Sequence, residues 1–109
     1  MPVAYRILGQ DAPLATTEVD LYTVPGATNT VASSVTITNR GSTIATFRVA
    51  VVQGGGVTGP RHYLYYDLPL AGYDTFIATI GVTMETTDVV RVYASTGDLT
   101  FQLFGSEIT

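Results

Sequence analysis

Polar and apolar residues alternate along much of the chain. In Val31 to Thr38, one side of an extended backbone carries Val31, Ser33, Val35 and Ile37, and the other carries Ala32, Ser34, Thr36 and Thr38. In Ile44 to Gln53, Ala45, Phe47, Val49 and Val51 alternate with Thr46, Arg48 and Ala50. In Leu99 to Phe104, Leu99, Phe101 and Leu103 face a core, while Thr100 and Gln102 do not. A period of two marks a strand with one buried face. No stretch of helical length carries apolar residues at i, i+3, i+4 and i+7.

Five further segments complete a set of eight: Val3 to Leu8, Val19 to Val24, Arg61 to Leu70, Thr75 to Ile80 and Val89 to Ser95. The breaks between them are rich in turn residues: Pro25-Gly26, Asn39-Arg40-Gly41-Ser42, Gly54 through Pro60, and Ser95-Thr96-Gly97-Asp98. Asn and Gly in the second of these tolerate the left-handed backbone of a tight reversal. Pro69 puts the end of its segment at a sheet edge or a bulge. The polar stretch Gly9 to Thr17 reads as an arm, so that residues 1–17 extend from a body that folds without them. The expected fold is all-β: an antiparallel, jelly-roll-like β-sandwich of about eight strands in one domain, 1–109.

Composition supports this. Val, Ile and Thr number 13, 6 and 18, or 37 of 109 residues, and β-branched side chains fit a pleated surface better than a helix. With 46% hydrophobic and 13% charged residues, the chain is not disordered. Its net charge is −4, Lys is absent, and Arg6, Arg40, Arg48, Arg61 and Arg91 are scattered. Nucleic acid and anionic membrane surfaces are therefore not expected partners. No apolar run approaches the ~20 residues of a spanning helix. Met1 to Arg6 lacks the basic start and apolar block of a signal peptide, so no secretion address is expected. Without cysteine, disulfides, thiolate catalysis and cysteine-ligated zinc are impossible.

Candidate chemistry is sparse. His62 is the sole histidine, and no Gly-x-Ser-x-Gly elbow accompanies it. Asp67 and Asp74 flank a turn and satisfy the parts list of a glycosidase pair, but Asp in such places caps turns. Glu85-Thr86-Thr87-Asp88 offers two carboxylates for a structural cation, outside any EF-hand pattern. Gly54-Gly55-Gly56 lacks the Gly-Lys-Ser/Thr continuation of a phosphate loop. The expectation is no enzyme, with no catalytic residue, metal, cofactor or small-molecule substrate. The most distinctive cluster is His62-Tyr63-Leu64-Tyr65-Tyr66-Asp67. Simple alternation puts Tyr63 and Tyr65 on one face, and His62, Leu64 and Tyr66 on the other. Exposed tyrosines suit protein interfaces; stacking on pyranose rings is the alternative.

Several stretches together resemble small virion proteins of tailed bacteriophages. They are Leu8 to Pro13 with the Thr-rich run after it, Leu21-Tyr22-Thr23-Val24-Pro25, His62 to Asp67, Thr86 to Ser95, and Phe104-Gly105-Ser106-Glu107-Ile108. The resemblance implies a structural part of the virion, without an active site to carry over. It implies a capsid cement (decoration) protein that bridges capsomers, or else a tail, neck, baseplate or fibre component with a carbohydrate-binding role. Compact size, acidic charge and the polar arm favour cement. The partners so implied are the major capsid protein and further copies of the chain, as a trimer. The residues expected at the contacts are Gln10 and Asp11 of the arm, Gly54, Gly55 and Gly56 of the loop, and Tyr63, Tyr65 and Tyr66. Removing residues 1–17 is expected to weaken incorporation and leave the sandwich folded.

Overall fold

A computed structural model describes residues 2–109. It contains eight strands: β1 (Val3–Asp11), β2 (Val19–Thr23), β3 (Asn29–Asn39), β4 (Ala45–Val52), β5 (Tyr63–Leu70), β6 (Thr75–Glu85), β7 (Val89–Ala94) and β8 (Leu99–Ile108). They form two four-stranded sheets. Sheet A has the order β1-β8-β3-β6 and sheet B the order β2-β7-β4-β5. Every neighbouring pair is antiparallel. Consecutive strands alternate between the sheets, except that β4 and β5 are neighbours in sheet B, the interleaved order of a jelly roll. The all-β, eight-stranded expectation holds.

The core is the side-chain layer between the sheets. Phe47, Phe101, Ile37, Val35, Val49, Leu99 and Leu103 are fully buried there. The Phe47 ring lies 5.3 Å from Phe76, 6.2 Å from Tyr65 and 6.4 Å from Phe101, centroid to centroid. These separations are those of attractive edge and tilted aromatic pairs.

Bulges break the simple alternation, and each one redirects side chains. In β3, Ser33 is an extra residue between Ala32 and Ser34 relative to β8. Thr30 and Ala32 therefore point inward together with Val35 and Ile37, and Val31 does not. The face expected to hold Val31 and Ser33 with Val35 is corrected accordingly. In β5 two slips occur: Ala50 and Val49 pair with Tyr63 and Tyr65, and Val49 and Phe47 pair with Tyr65 and Leu68. Leu64 is the extra residue at the first slip. At the second, Tyr66 and Asp67 together oppose Arg48, with Asp67 at φ +51°. Tyr63 and Tyr66 consequently share the outer face, and Tyr65 enters the core beside Phe47 and Phe76. The pairing of Tyr63 with Tyr65 on one face is thus overturned.

Two turns differ from their sequence reading. Residues 39–42 use no left-handed backbone. Instead the buried Asn39 side chain donates to the Thr43 and Leu70 carbonyls at 2.8 and 3.1 Å and accepts from the Gly41 N–H at 3.0 Å. Residues 60–62 form a short 3-10 turn ahead of β5.

The N-terminus departs most from expectation. Gly9, Gln10 and Asp11 belong to β1 and pair with Leu103, Gln102 and Phe101 of β8. Beyond β1, the Thr16 N–H donates to the Ala94 carbonyl at 2.8 Å. The strand expected from Val3 to Leu8 is present, and it runs on through Gly9 to Asp11 of the expected arm as one edge strand of sheet A. β6 and β8 also run beyond their expected ends, to Glu85 and Ile108, because residues 82–85 of β6 pair with 29–32 of β3, and 105–108 of β8 lie between 3–6 of β1 and 29–32 of β3.

Candidate functional site

The two outer faces of the sandwich are built differently. On sheet B, cross-strand register puts Arg48 beside Tyr93 and Ala50 beside Arg91. The Arg48 guanidinium carbon sits 4.3 Å from the ring centre of Tyr66 and 4.3 Å from that of Tyr93. Its nitrogens donate to both carboxylate oxygens of Asp67, at 2.6 and 3.2 Å. These hydrogen bonds hold the Asp67 carboxyl below its usual range and raise the Arg48 pKa. A planar guanidinium suits both stacking and forked pairing. Asp67 is thus engaged in an ion pair with Arg48, and Asp74 caps its own turn by accepting from Thr75 N–H at 2.8 Å.

Arg91 performs a second tie. It donates to Asp20 at 2.8 Å, to Thr58 Oγ1 at 3.0 Å, and to the Gly55 and Gly56 carbonyls. Asp88 accepts from Gly54 N–H at 2.8 Å and from Glu85 N–H at 3.0 Å. The glycine run expected as a contact loop is therefore strapped to sheet B by one arginine and one aspartate. Ala50, Val52 and Val89 are buried although they lie outside the core cluster between the sheets, and Gly55 lies close to Val89. Gly54 and Gly55 adopt φ +70° and +69°, a backbone that glycine enters without cost.

Next to this strap, Thr58, Gly59, Pro60, Tyr63 and Tyr66 line a cleft of about 400 Å³. The Tyr63 and Tyr66 rings meet edge to face at 4.8 Å, and Tyr66 is 58% exposed. A larger open cleft of about 820 Å³ lies at one end of the sandwich, with Arg61, His62, Glu85, Asp88 and Met84 among its walls. His62 Nδ1 there accepts from Gly59 N–H at 2.8 Å, and the ion pairs among the described residues do not include it. Among the described residues no three His, Asp or Glu side chains gather as metal ligands.

Sheet A has no such cover. Val3, Tyr5 and Ile7 of β1 point outward, 47%, 86% and 53% exposed. Their β8 partners on that face are Ile108, Ser106 and Phe104, and Val31 follows on β3. This patch was legible as the alternation of Val3, Tyr5 and Ile7, but alternation does not say which face meets solvent. Gln10 lies beside it, donating to Gln102 at 2.8 Å. Of the residues expected at contacts, only Gln10 and Asp11 belong to this sheet; the tyrosines belong to sheet B and the glycines to the loop tied to it.

Behind the patch, at the same end, one carboxylate faces into the sandwich. Glu107 accepts from Arg6 at 2.8 Å and from the Tyr22 hydroxyl at 2.5 Å, and that hydroxyl also meets Thr30 Oγ1 at 2.7 Å. The Tyr22 bond, aided by Arg6, holds the Glu107 carboxyl below its usual range against the opposing effect of burial. Burial, then the bond to Glu107, pushes the Tyr22 hydroxyl up to about 12. The network ties β1, β2, β3 and β8 together.

No family model matches the chain, and no curated protein matches it. Among solved structures, it is similar to a chain in the structure of infectious bursal disease virus, Gx strain. The TM-score is 0.53 at 8% sequence identity, covering 97% of this chain and 31% of that one. At that identity the likeness is one of fold, and this chain spans under a third of the viral chain.

Proposed function

We propose that the chain is a structural protein of a virus particle, and that it acts as a decoration protein, lying on a capsid and bridging its subunits. The observation that carries this reading is the uncovered apolar patch of sheet A, where Val3, Tyr5 and Ile7 stand exposed on a rigid sheet. Contiguous exposed apolar surface marks an interaction site. The jelly-roll fold, shared with a chain of a virus structure, and the resemblance to phage virion proteins support it. So does the engagement of His62, Asp67 and Asp88 in hydrogen bonds within the chain. Binding here is passive: β1 and β8 present the patch, and repetition over a lattice multiplies a modest contact.

The test is to add purified protein to capsid shells that lack it and measure co-sedimentation. Native protein should bind, and a Tyr5→Ser/Ile7→Ser variant with an unchanged melting temperature should bind at least about tenfold more weakly. Absence of native binding, or equal binding by the variant, would overturn the reading. A second reading, a tail or fibre component that binds glycans, draws on the cleft of Tyr63, Tyr66 and Pro60. It requires glycan-array hits that disappear in Tyr66→Ala.

A further inference from the structure

Each sheet has two open edges, and three of the four edge strands carry a device that discourages pairing with another chain. β2 is five residues long. β5 has two bulges and Pro69. β1 has a bulge at Leu8 and carries Arg6. Short strands, bulges, prolines and charges are the usual protections of a sheet edge. β6 is the exception over its first part. Thr75 to Thr79 pairs in unbroken register with β3 on one side only, and a slip follows at Ile80 and Gly81. It contains no charge and no proline, and its regular course ends at Gly81, where φ is +57°. Along it, alternate N–H and C=O groups point away from β3 with no strand beside them.

The side chains at this edge are also incompletely covered. Phe76, Ala78 and Ile80 pack against the core but remain half-buried, whereas their β3 partners Ile37 and Val35 are fully buried. On the outer face Ile77 is 69% exposed. The core is thus unfinished along this strand, and one further strand would complete it.

We infer that β6 is the site at which two copies of this chain pair, antiparallel and edge to edge, about a two-fold axis at Ala78. A second copy is the fitting occupant for three reasons. An antiparallel edge is self-complementary, so one strand supplies both sides of a closed two-fold contact. A two-fold at Ala78 confines the ladder to residues 76–80, all within the strand and ahead of the positive φ at Gly81. It sets Phe76 against Ile80 of the second copy inside, and Ile77 against Thr79 outside, which is apolar and β-branched pairing of the favourable kind. Finally, a chain of net charge −4 meets its like here along an uncharged segment, avoiding repulsion. The pairing joins the two A sheets into one of eight strands. It is two-fold, unlike the trimer expected from the phage resemblance, and it does not rest on the capsid reading.

The test is sedimentation equilibrium on the full chain and on Ile77→Lys/Thr79→Lys, with circular dichroism and melting to confirm that both are folded. Native protein should dimerise with a dissociation constant below about 1 mM. The double variant sets two like-charged pairs directly across the axis and should weaken dimerisation at least about tenfold. Mixing it with Ile77→Glu/Thr79→Glu should restore association as a heterodimer. In hydrogen exchange, β6 amides should gain protection as concentration rises. A native monomer at the highest concentration, a trimer, or a dimer indifferent to charge at 77 and 79 would overturn the inference. Shell binding by a dimer-deficient variant reports on the decoration role separately.

Discussion

The outer faces of the two sheets solve the same problem in opposite ways. Sheet B covers part of its surface within the chain, although Tyr66 and Leu64 stay 58% and 42% exposed. Arg48 lies between two tyrosines and is paired with Asp67, and Arg91 ties the Gly54–Thr58 segment to the sheet. Sheet A leaves Val3, Tyr5, Ile7 and Ile77 bare. A face whose polar groups and apolar area are satisfied internally adds to the stability of the monomer. A face left bare contributes little to it and is available to another surface. On the proposed reading, the outside of sheet B serves stability and the outside of sheet A serves recognition.

The largest effect that can break this division comes from β1, which belongs to the recognition face but also completes sheet A. Deleting residues 2–11 removes every β1–β8 pair and the Arg6 partner of Glu107. The shortened protein should lose several kcal/mol of stability and melt more than about 10 °C lower, as followed by circular dichroism. Unchanged melting would reinstate the arm that the sequence suggested.

Smaller, and specific to sheet B, is Arg91→Ala. Loss of hydrogen bonds to a charged donor should cost about 1.5–3 kcal/mol. It should also open Gly54 to Pro60 to protease, read by limited proteolysis against the native protein. Tyr5→Ser on sheet A should change stability by no more than about 0.5 kcal/mol; a large loss would mean that this face, too, is structural.

The smallest effect is the pH dependence of the Glu107 network. Glu107 has a folded pKa below its unfolded value of about 4.3. Its contribution is therefore present above that pH and fades as pH falls through the folded value. Tyr22 is displaced the other way, from 10.0 to about 12. Its contribution is complete below about 10 and disappears as pH rises through about 12. Melting temperature should hold a plateau between these limits, and Glu107→Gln should flatten the acid limb relative to native protein.

Much of the candidate site was hidden from the sequence. The tyrosine cluster stood out, but its orientation depended on two slips in β5 that leave no mark in composition. Arg48 and Arg91 looked like scattered surface charges. Their partners lie 19 to 71 residues away, and only pairing of β4 with β5 and of β2 with β7 brings them together. The glycine run was recognisable as a loop, yet its fastening to Arg91 and Asp88 was not.

Period-two alternation and β-branched composition are properties of neighbouring residues, so the chain alone dictated extended structure, the turn positions and most core residues, Phe47, Phe101 and Leu103 among them. Bulge positions, the inward turn of Tyr65 and Glu107, the recruitment of Gly9 to Asp11 into a sheet, and the choice of which face stays bare were decided by tertiary structure. Each depends on which distant strand lies alongside, as when Arg6 meets Glu107 across 101 residues, and a local pattern carries no information about that neighbour.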